Sequence, residues 1–399
     1  MTYMTKKIVD REQILKKLHD GLTQSHLKVD YAVIGHRRIG KTMILGELQT
    51  QLANSNLIVA SVDFSKYGQD PGEFSQALFD ALTEAYRETL NPTSKIFDQV
   101  KHAVGEIKKL KRMRVAFDLS VDETGKPITT LRPTLAEEKV KHPEAFEKPF
   151  TYASRLAAVS GKKLVIILDE AQKILQWSKL EGMNTVMDQF RAIMDSLDDV
   201  SIVVCGSRVH MLESIFGEQG SPLFGRFTIV EVGPLKEADA STLYLRSAPA
   251  ADMNEFREVY GLVGGHPFYL VVMAEARVQN ETAKERYKRL LTDVVGGLYL
   301  YVNYILSEDL GSNVDETNYV RILRSLAGGE RRISEIAKET GLKLYWLPRY
   351  ITKLIEYDLV DKLDGTYKLK DPIVADYFKF KYPEDYAVEA TPVQPASSP

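Results

Sequence analysis

The hydrophobic positions of this chain fall into short, nearly unbroken runs separated by stretches of helical spacing. The runs are Tyr31-Ala32-Val33-Ile34, Leu57 to Phe64, Leu164 to Leu168, residues 200–206 and Phe227 to Val232. Such a run suits a strand buried on both faces, the usual condition in a parallel sheet. Between them, Ile14, Leu15, Leu18 and Leu22 follow an acidic start at helical spacing. Met43, Ile44, Leu45 and Leu48 mark a second helix, and residues 73–90 a third. Strands alternating with helices predict an α/β fold, a parallel sheet with helices on both faces.

Beyond residue 235 the alternation stops. Residues 236–310 carry helical spacing without strands. Residues 317–381 hold short helices and then a hairpin, Leu359–Leu363 to Tyr367–Leu369, with Asp364-Gly365 at its turn. From Tyr382 the chain has four prolines and reads as a disordered tail. Residues 91–148 are charged and poor in aliphatics, which predicts an insertion ahead of the strand at 164–168. This insertion contains the basic run Lys108 to Arg114 and a turn signal at Asp122 to Lys126. The basic run reads as a solvated helix face, or else as a contact for nucleic acid or an acidic partner. The expected divisions are 1–235, 236–315, 316–381 and a tail over 382–399.

Composition narrows this only mildly. The chain has 399 residues, 44% hydrophobic and 27% charged, with a net charge of −3. Near-neutrality argues against wholesale charge-driven nucleic-acid binding but leaves room for a local basic patch. The one cysteine, Cys205, excludes an intramolecular disulfide or a cysteine-built metal cluster, and its strand setting reads as a buried, unreactive thiol. No apolar run approaches membrane-spanning length and no signal peptide is visible, so a cytoplasmic protein without membrane association is expected.

One motif carries chemistry. Gly35-His36-Arg37-Arg38-Ile39-Gly40-Lys41-Thr42 fits the phosphate-binding pattern G-x-x-x-x-G-K-[ST] without a mismatch. Glycines let the backbone curl so that successive N–H groups face a phosphate. Lys41 adds a point charge for the β- and γ-phosphates, and the Thr42 hydroxyl can ligate Mg²⁺. The strand before the loop and the helix after it, beginning near Met43, are the setting the motif requires. Candidate binding residues are therefore Gly35 through Met43.

A second motif answers the first. The aliphatic run Leu164–Leu168 ends in Asp169-Glu170. Carboxylates at the carboxyl end of a central parallel strand project where ligands bind in open α/β sheets. Asp169 would join the Mg²⁺ shell, and Glu170 would polarise or orient an attacking water.

The order of phosphate loop, Asp-Glu strand end, Gly206-Ser207-Arg208, Pro222-Leu223-Phe224-Gly225-Arg226, Gly264-Gly265-His266-Pro267 and a C-terminal helix-hairpin module resembles the STAND branch of AAA+-related ATPases. Within that branch it is most similar to the prokaryotic group called archaeal-type ATPases. The resemblance spans about residues 8–380 and is weak through 91–148. It implies an ATPase core, a helical lid and a winged helix. Arg208 matches the arginine that ends the sensor strand and faces the γ-phosphate, with Ser207 the alternative polar sensor. Arg226 matches a recurrent arginine, either a finger acting in cis or trans or an internal ion-pair partner. Pro267 matches the motif that brings the lid near the nucleotide, or else simply restarts a helix. Ile8, Val9 and Arg11 match a segment that walls the adenine, or belong to a packing helix. The resemblance, together with the missing guanine-specifying N-K-x-D motif, implies ATP as the nucleotide, with dATP and GTP as alternatives.

Tyr319–Lys381 carries 13 Lys and Arg against 9 Asp and Glu. Lys343, Arg349 and Lys353 flank or line the expected exposed face of the third helix of the winged helix. Such modules either contact DNA or fold back on the ATPase as regulators. Three readings follow. One is an ATP-driven switch with an unidentified protein partner, its winged helix moving as ATP becomes ADP. The others are a DNA-acting ATPase like origin-recognition initiators and a non-catalytic nucleotide-binding scaffold. Glu170 argues against the last, because a pure binder needs no water-activating acid.

Overall fold

The structure, a computed structural model, describes residues 9–24, 28–67, 70–89, 113–121, 127–135, 141–311 and 317–389. The chain divides into two compact units, Met1–Gly233 and Pro234–Pro399.

The first unit is built on a parallel sheet. Its strands are β1 (Tyr31–Ile34), β2 (Ile58–Asp63), β5 (Leu164–Asp169), β6 (Val200–Gly206) and β7 (Thr228–Glu231), in the order β2-β5-β6-β1-β7. A hairpin of β3 (Met113–Val121) and β4 (Pro127–Leu135) stands apart from it. The helices are α1 (Glu12–Thr23), α2 (Lys41–Asn54), α3 (Phe64–Tyr67), α4 (Pro71–Thr89), α5 (His142–Ser160), α6 (Val186–Asp195) and α7 (Val209–Gly217). A 3₁₀ segment covers Ala171–Lys179.

Strand parity decides which face each residue serves. Leu164, Ile166 and Leu168 join a core with Ile58, Ala60, Ile202 and Val204 under α4, α5 and α6. Val165 and Ile167 point the other way, into a core with Val33, Val203, Cys205 and the Leu18 and Leu48 side chains of α1 and α2. Both faces are dry over β1, β5 and β6, which is why these strands read as continuous apolar runs, whereas the run at 227–232 is the edge strand β7, with Ile229 exposed. Each fully buried Leu or Ile contributes about 1.5–3 kcal/mol. On the first face Trp177, fully buried, meets Phe64, Phe74 and Phe146 with ring centroids 5.3–5.4 Å away. That cluster pins the 3₁₀ segment that begins directly after Glu170.

Expectations for residues 91–148 need correcting at the end of the range. Residues 142–148 are the first turns of α5, with Phe146 fully buried. Phe146 and Phe150, four apart, supply the buried stripe that the scarcity of aliphatics concealed. Met113 and Arg114, expected on a solvated helix face, lie in β3. Lys108 to Arg112 and the turn at Asp122 to Lys126 lie outside the described residues.

The second unit holds α8 (Glu237–Ser247), α9 (Met253–Val263), α10 (Pro267–Glu275), α11 (Ala283–Thr292), α12 (Gly297–Leu310), α13 (Asn318–Ala327), α14 (Ile333–Thr340), α15 (Leu347–Glu356) and α16 (Pro372–Lys381). A small antiparallel sheet, β8 (Arg331–Arg332), β9 (Val360–Leu363) and β10 (Thr366–Leu369), runs in the order β8-β10-β9. Arg286, 1% exposed, donates to the Tyr244 hydroxyl at 3.0 Å, the Met273 carbonyl at 2.9 Å and Glu255 Oε1 at 2.8 Å. A buried guanidinium survives because its two terminal nitrogens are hydrogen-bonded and its charge faces Glu255 and, at 3.8 Å from Nε, Glu281. Burial pushes the Glu255 carboxyl up, but Arg286, Arg277 and Tyr244 outweigh it and hold the group below the ordinary glutamate value.

Three hydroxyl contacts tie the helices to α16. Tyr269 donates to Asp371 Oδ2, Tyr287 to Asp376 Oδ2 at 2.8 Å, and Tyr377 to Asn303 Oδ1 at 3.1 Å. Asp371 also caps α16 through the Ile373 amide. The stretch 283–310 contains an 18-residue window whose mean hydropathy, 1.3, is that of a membrane-crossing helix. It is nevertheless two helices broken at 293–296, with Leu290, Leu291, Leu298 and Val302 buried in the unit. The tail does not become irregular at Tyr382. Pro383–Glu389 form a 3₁₀ segment in which Asp385 pairs with Arg324 and the Tyr386 hydroxyl donates to the Arg324 carbonyl at 2.7 Å. Those aromatic and acidic anchors outweigh the proline content. Residues 390–399 lie outside the described residues.

Candidate nucleotide site

The loop between β1 and α2 departs from ordinary backbone at two points. Arg38 has φ 57° and Gly40 φ 102°, left-handed values that turn the chain into the start of α2. Gly35 serves close approach, because a Cβ there would stand 2.5 Å from the Val232 carbonyl. Lys41 is 6% exposed and donates to the Gly35 and His36 carbonyls at 2.7 and 2.8 Å. Burial lowers its ammonium pKa, with Glu170 and Asp169 among the groups opposing. An ammonium so placed is the point charge that a phosphate-binding loop requires.

Topology carries the second motif to the first. β6 lies between β1 and β5, so the carboxyl ends of all three meet at one rim of the sheet. There the Thr42 hydroxyl donates to Asp169 Oδ2 at 3.1 Å, joining residues 127 apart in sequence. The other carboxylate oxygen, Oδ1, accepts the Glu170 amide at 2.9 Å. Cys205, one position beyond the last registered β5–β6 pair, places its thiol against the Asp169 carboxylate. Burial first, then that carboxylate, pushes the thiol well above its usual range. The unreactive reading therefore stands, but the thiol abuts the site rather than filler core.

Glu170 has φ 52° and ψ 38°, a left-handed residue at the turn from β5 into the 3₁₀ segment. Its Oε2 accepts from Ser207 Oγ at 3.1 Å and from Gln172 Nε2. Gln172 is 4% exposed, and sequence reasoning did not single it out. Its Oε1 occupies the space beside Gly206 that a side chain would fill, 2.0 Å from where a Cβ would stand. A glycine closing an apolar strand was the available signal, since such a glycine marks close approach.

The other predicted residues divide. Arg208 directly follows Ser207 at the start of α7, on the same rim as the loop. Ile39 is buried; His36 and Arg37 are half-buried; Arg38 and Met43 are exposed along the loop and the first turn of α2. Arg11 (φ 88°) is 7% exposed and donates to the Gly233 carbonyl at 2.7 Å, which offsets its strained backbone. Val9 is half-buried, and Ile8 lies outside the described residues. Pro267 opens α10 in the second unit, after Gly264 (φ 61°) closes α9.

Arg226 requires correction as a finger acting in cis. It lies 3.5 Å from Asp30 Oδ2 and 3.3 Å from Asp195 Oδ1, and donates to the Met194 carbonyl at 2.9 Å. Asp30 precedes β1 and its Oδ1 accepts the Ile202 amide near the start of β6. Arg226 is thus at the amino ends of the strands, the far rim from Lys41. The reason is topological: a residue that precedes a parallel strand lies opposite the loops that follow the strands. The ion-pair alternative holds. In the second unit Lys343 and Arg349 are exposed, whereas Lys353 donates to Glu356 at 2.9 Å and sits over the Tyr357 ring.

A five-stranded parallel sheet whose phosphate loop faces a carboxylate two strands away defines a nucleotide-binding P-loop NTPase of the Walker type. The chain belongs to the family of ATPase domains found predominantly in Archaea, whose model matches residues 8–273. A Walker-type ATPase of Pyrococcus abyssi shares the fold, with 23% identity and a TM-score of 0.62 over 93% of this chain and 96% of that one. The ORC2 protein of Aeropyrum pernix overlays more loosely, at 13% identity and a TM-score of 0.46 over 93% of each chain. An uncharacterised protein of Methanocaldococcus jannaschii is 26% identical over 243 residues, 57% of this chain. The match spans about half of that relative's length, 51%.

Proposed function

We propose that the protein is an ATP-hydrolysing STAND-type molecular switch. The observation that carries this reading is the Thr42–Asp169 hydrogen bond, which joins the two halves of a nucleotide and metal site. In this reading the amides of residues 35–43 hold the phosphates, and Lys41 turns its ammonium from the loop carbonyls to the β- and γ-phosphates. Thr42 and Asp169 fit Mg²⁺, a hard ion that takes a hydroxyl and one carboxylate and fills its shell with phosphate and water. Bound there, Mg²⁺ would neutralise charge on the phosphates. Glu170 polarises the attacking water, and Arg208 or Ser207 senses the γ-phosphate. Pro267 belongs to the helical lid, α8 to α12, and Val9 and Arg11 line the base.

The module from α13 to β10 has the order of a winged helix, with α15 as its third helix. Its place changes between the ATP and ADP states, and a protein partner reads that change. Such a switch needs two states that the γ-phosphate biases differently. A DNA-acting ATPase is the second reading. It is favoured by exposed Lys343 and Arg349 around exposed Tyr345 and Trp346 at the start of α15. Basic and aromatic side chains together are what nucleic acid demands.

The test is ATP turnover with Mg²⁺, with and without duplex DNA. Lys41→Ala should lose nucleotide binding, and Glu170→Gln should bind ATP yet lose roughly 10²-fold or more in kcat. A Glu170→Gln variant as fast as the parent refutes the hydrolytic assignment. Turnover stimulated by DNA replaces the switch reading with the second one.

A further inference from the structure

We infer that Gln172 is a positioning residue for the Glu170 carboxylate, held in place by the side-chain-free slot at Gly206. The inference rests on the hydrolytic reading above and goes beyond it, because neither residue belongs to a phosphate-binding or metal-binding motif. Glu170 emerges from β5 in a left-handed conformation, on a short turn with several rotatable bonds between backbone and carboxylate. A general base works only when its oxygen is aimed, and misplacement near 1 Å costs about 10²-fold in rate.

Two donors from different elements fix Oε2. The Ser207 hydroxyl comes from the end of β6 and the Gln172 amide from the 3₁₀ segment. With that oxygen occupied, Oε1 is the oxygen left to meet water. Gln172 is itself constrained from behind. Its amide carbon and Oε1 lie 3.1 and 2.0 Å from the position of a Cβ on Gly206, and Leu212 Cδ1 stands 2.7 Å from the same point. The side chain therefore threads a gap that any residue but glycine would close.

The cost of this arrangement is visible. Gln172 Oε1 is buried and makes no hydrogen bond. An unsatisfied buried amide oxygen loses its hydration without compensation. Packing alone would be better served by Leu or Met in the same volume, so the amide has its use at the other end, where its N–H₂ meets Glu170. The flanking core, with Ile174 and Trp177 buried, keeps the segment from relaxing around the amide.

The experiment compares the full-length parent with Gln172→Leu, Gln172→Ala, Gly206→Ala and the Gln172→Ala/Gly206→Ala double variant. Readouts are steady-state ATPase kinetics, ATP affinity by calorimetry in the Glu170→Gln background, and the nucleotide-free thermal midpoint. Gln172→Leu should lower kcat roughly 10- to 100-fold, with KM and ATP affinity within about twofold and a midpoint equal to or above the parent's. Gly206→Ala should lower kcat likewise and also the midpoint. In the Gln172→Ala background the methyl added by Gly206→Ala should cost no further kcat, because the group it displaces is gone, while the midpoint still falls through the Leu212 contact at 2.7 Å. If Gln172→Leu keeps the parent kcat, or raises KM instead, the positioning role is wrong. Additive losses of kcat in the double variant overturn the Gly206 slot. A parent no more active than Lys41→Ala removes the hydrolytic reading and this inference with it, a result distinct from an active parent that tolerates Gln172→Leu.

Discussion

At Arg226 one guanidinium donates to the Met194 carbonyl at the end of α6 and forms ion pairs with the Asp30 and Asp195 carboxylates. Burial raises the Asp30 pKa, countered by Lys28, the Ile202 amide and Arg226. Arg226→Ala should therefore reduce stability by about 1.5–3 kcal/mol, the range for hydrogen bonds to charged groups. Turnover per folded molecule should stay within about twofold of the parent, far from the 10³-fold or greater loss that a finger gives. Denaturant melts and kcat on the same sample check this, and a loss beyond 10²-fold at full stability would restore a finger in trans.

The same residue shows what was legible in the sequence. The phosphate loop could be read because its chemistry is local: eight consecutive residues fix amides, ammonium and hydroxyl together. Asp169-Glu170 could be read because a strand end projects its next residues at the ligand rim. Arg226 matched a pattern but lay before a strand, and that position assigns it to the other rim. Gln172 and Gly206 meet only through the β5–β6 register, and no spacing of residues announces such a pair.

Among the elements, α11 shows how a helix is held by its partners. It opens with a reciprocal cap, Thr282 and Glu285 each bonding the other's backbone amide. It then buries Arg286 against Glu255 of α9. The Glu255 pKa lies below its unfolded value of about 4.5. A carboxyl depressed on folding stabilises above that value, and its contribution is lost as pH falls through the folded pKa. Protection of residues 253–292 from hydrogen exchange should thus decline as the pH is taken below about 4.5. Glu255→Gln should lower the neutral-pH protection and flatten that decline. An unchanged acid response in the variant would assign the sensitivity elsewhere.

At the scale of the molecule, the first unit presents its ligand rim ready-made, with Thr42 already bonded to Asp169. A site that needs little ordering should convert ligand affinity directly into stability. ATP with Mg²⁺ at 100 times its dissociation constant should add about 2.7 kcal/mol. The corresponding rise in thermal midpoint should vanish in Lys41→Ala and survive in Glu170→Gln. A rise that survives in Lys41→Ala would place the nucleotide somewhere other than the loop.

Cys205 has a use that does not depend on its chemistry in the cell. It is the chain's one sulfhydryl, 1% exposed, and its sulfur abuts the carboxylate that faces Thr42. An alkylating reagent can reach it only when β6 parts from its neighbours, so the labelling rate is a clock for openings of the sheet beneath the phosphates. One mass-spectrometric time course, with no engineered label, would time how often the floor of the site lifts and whether ATP holds it down.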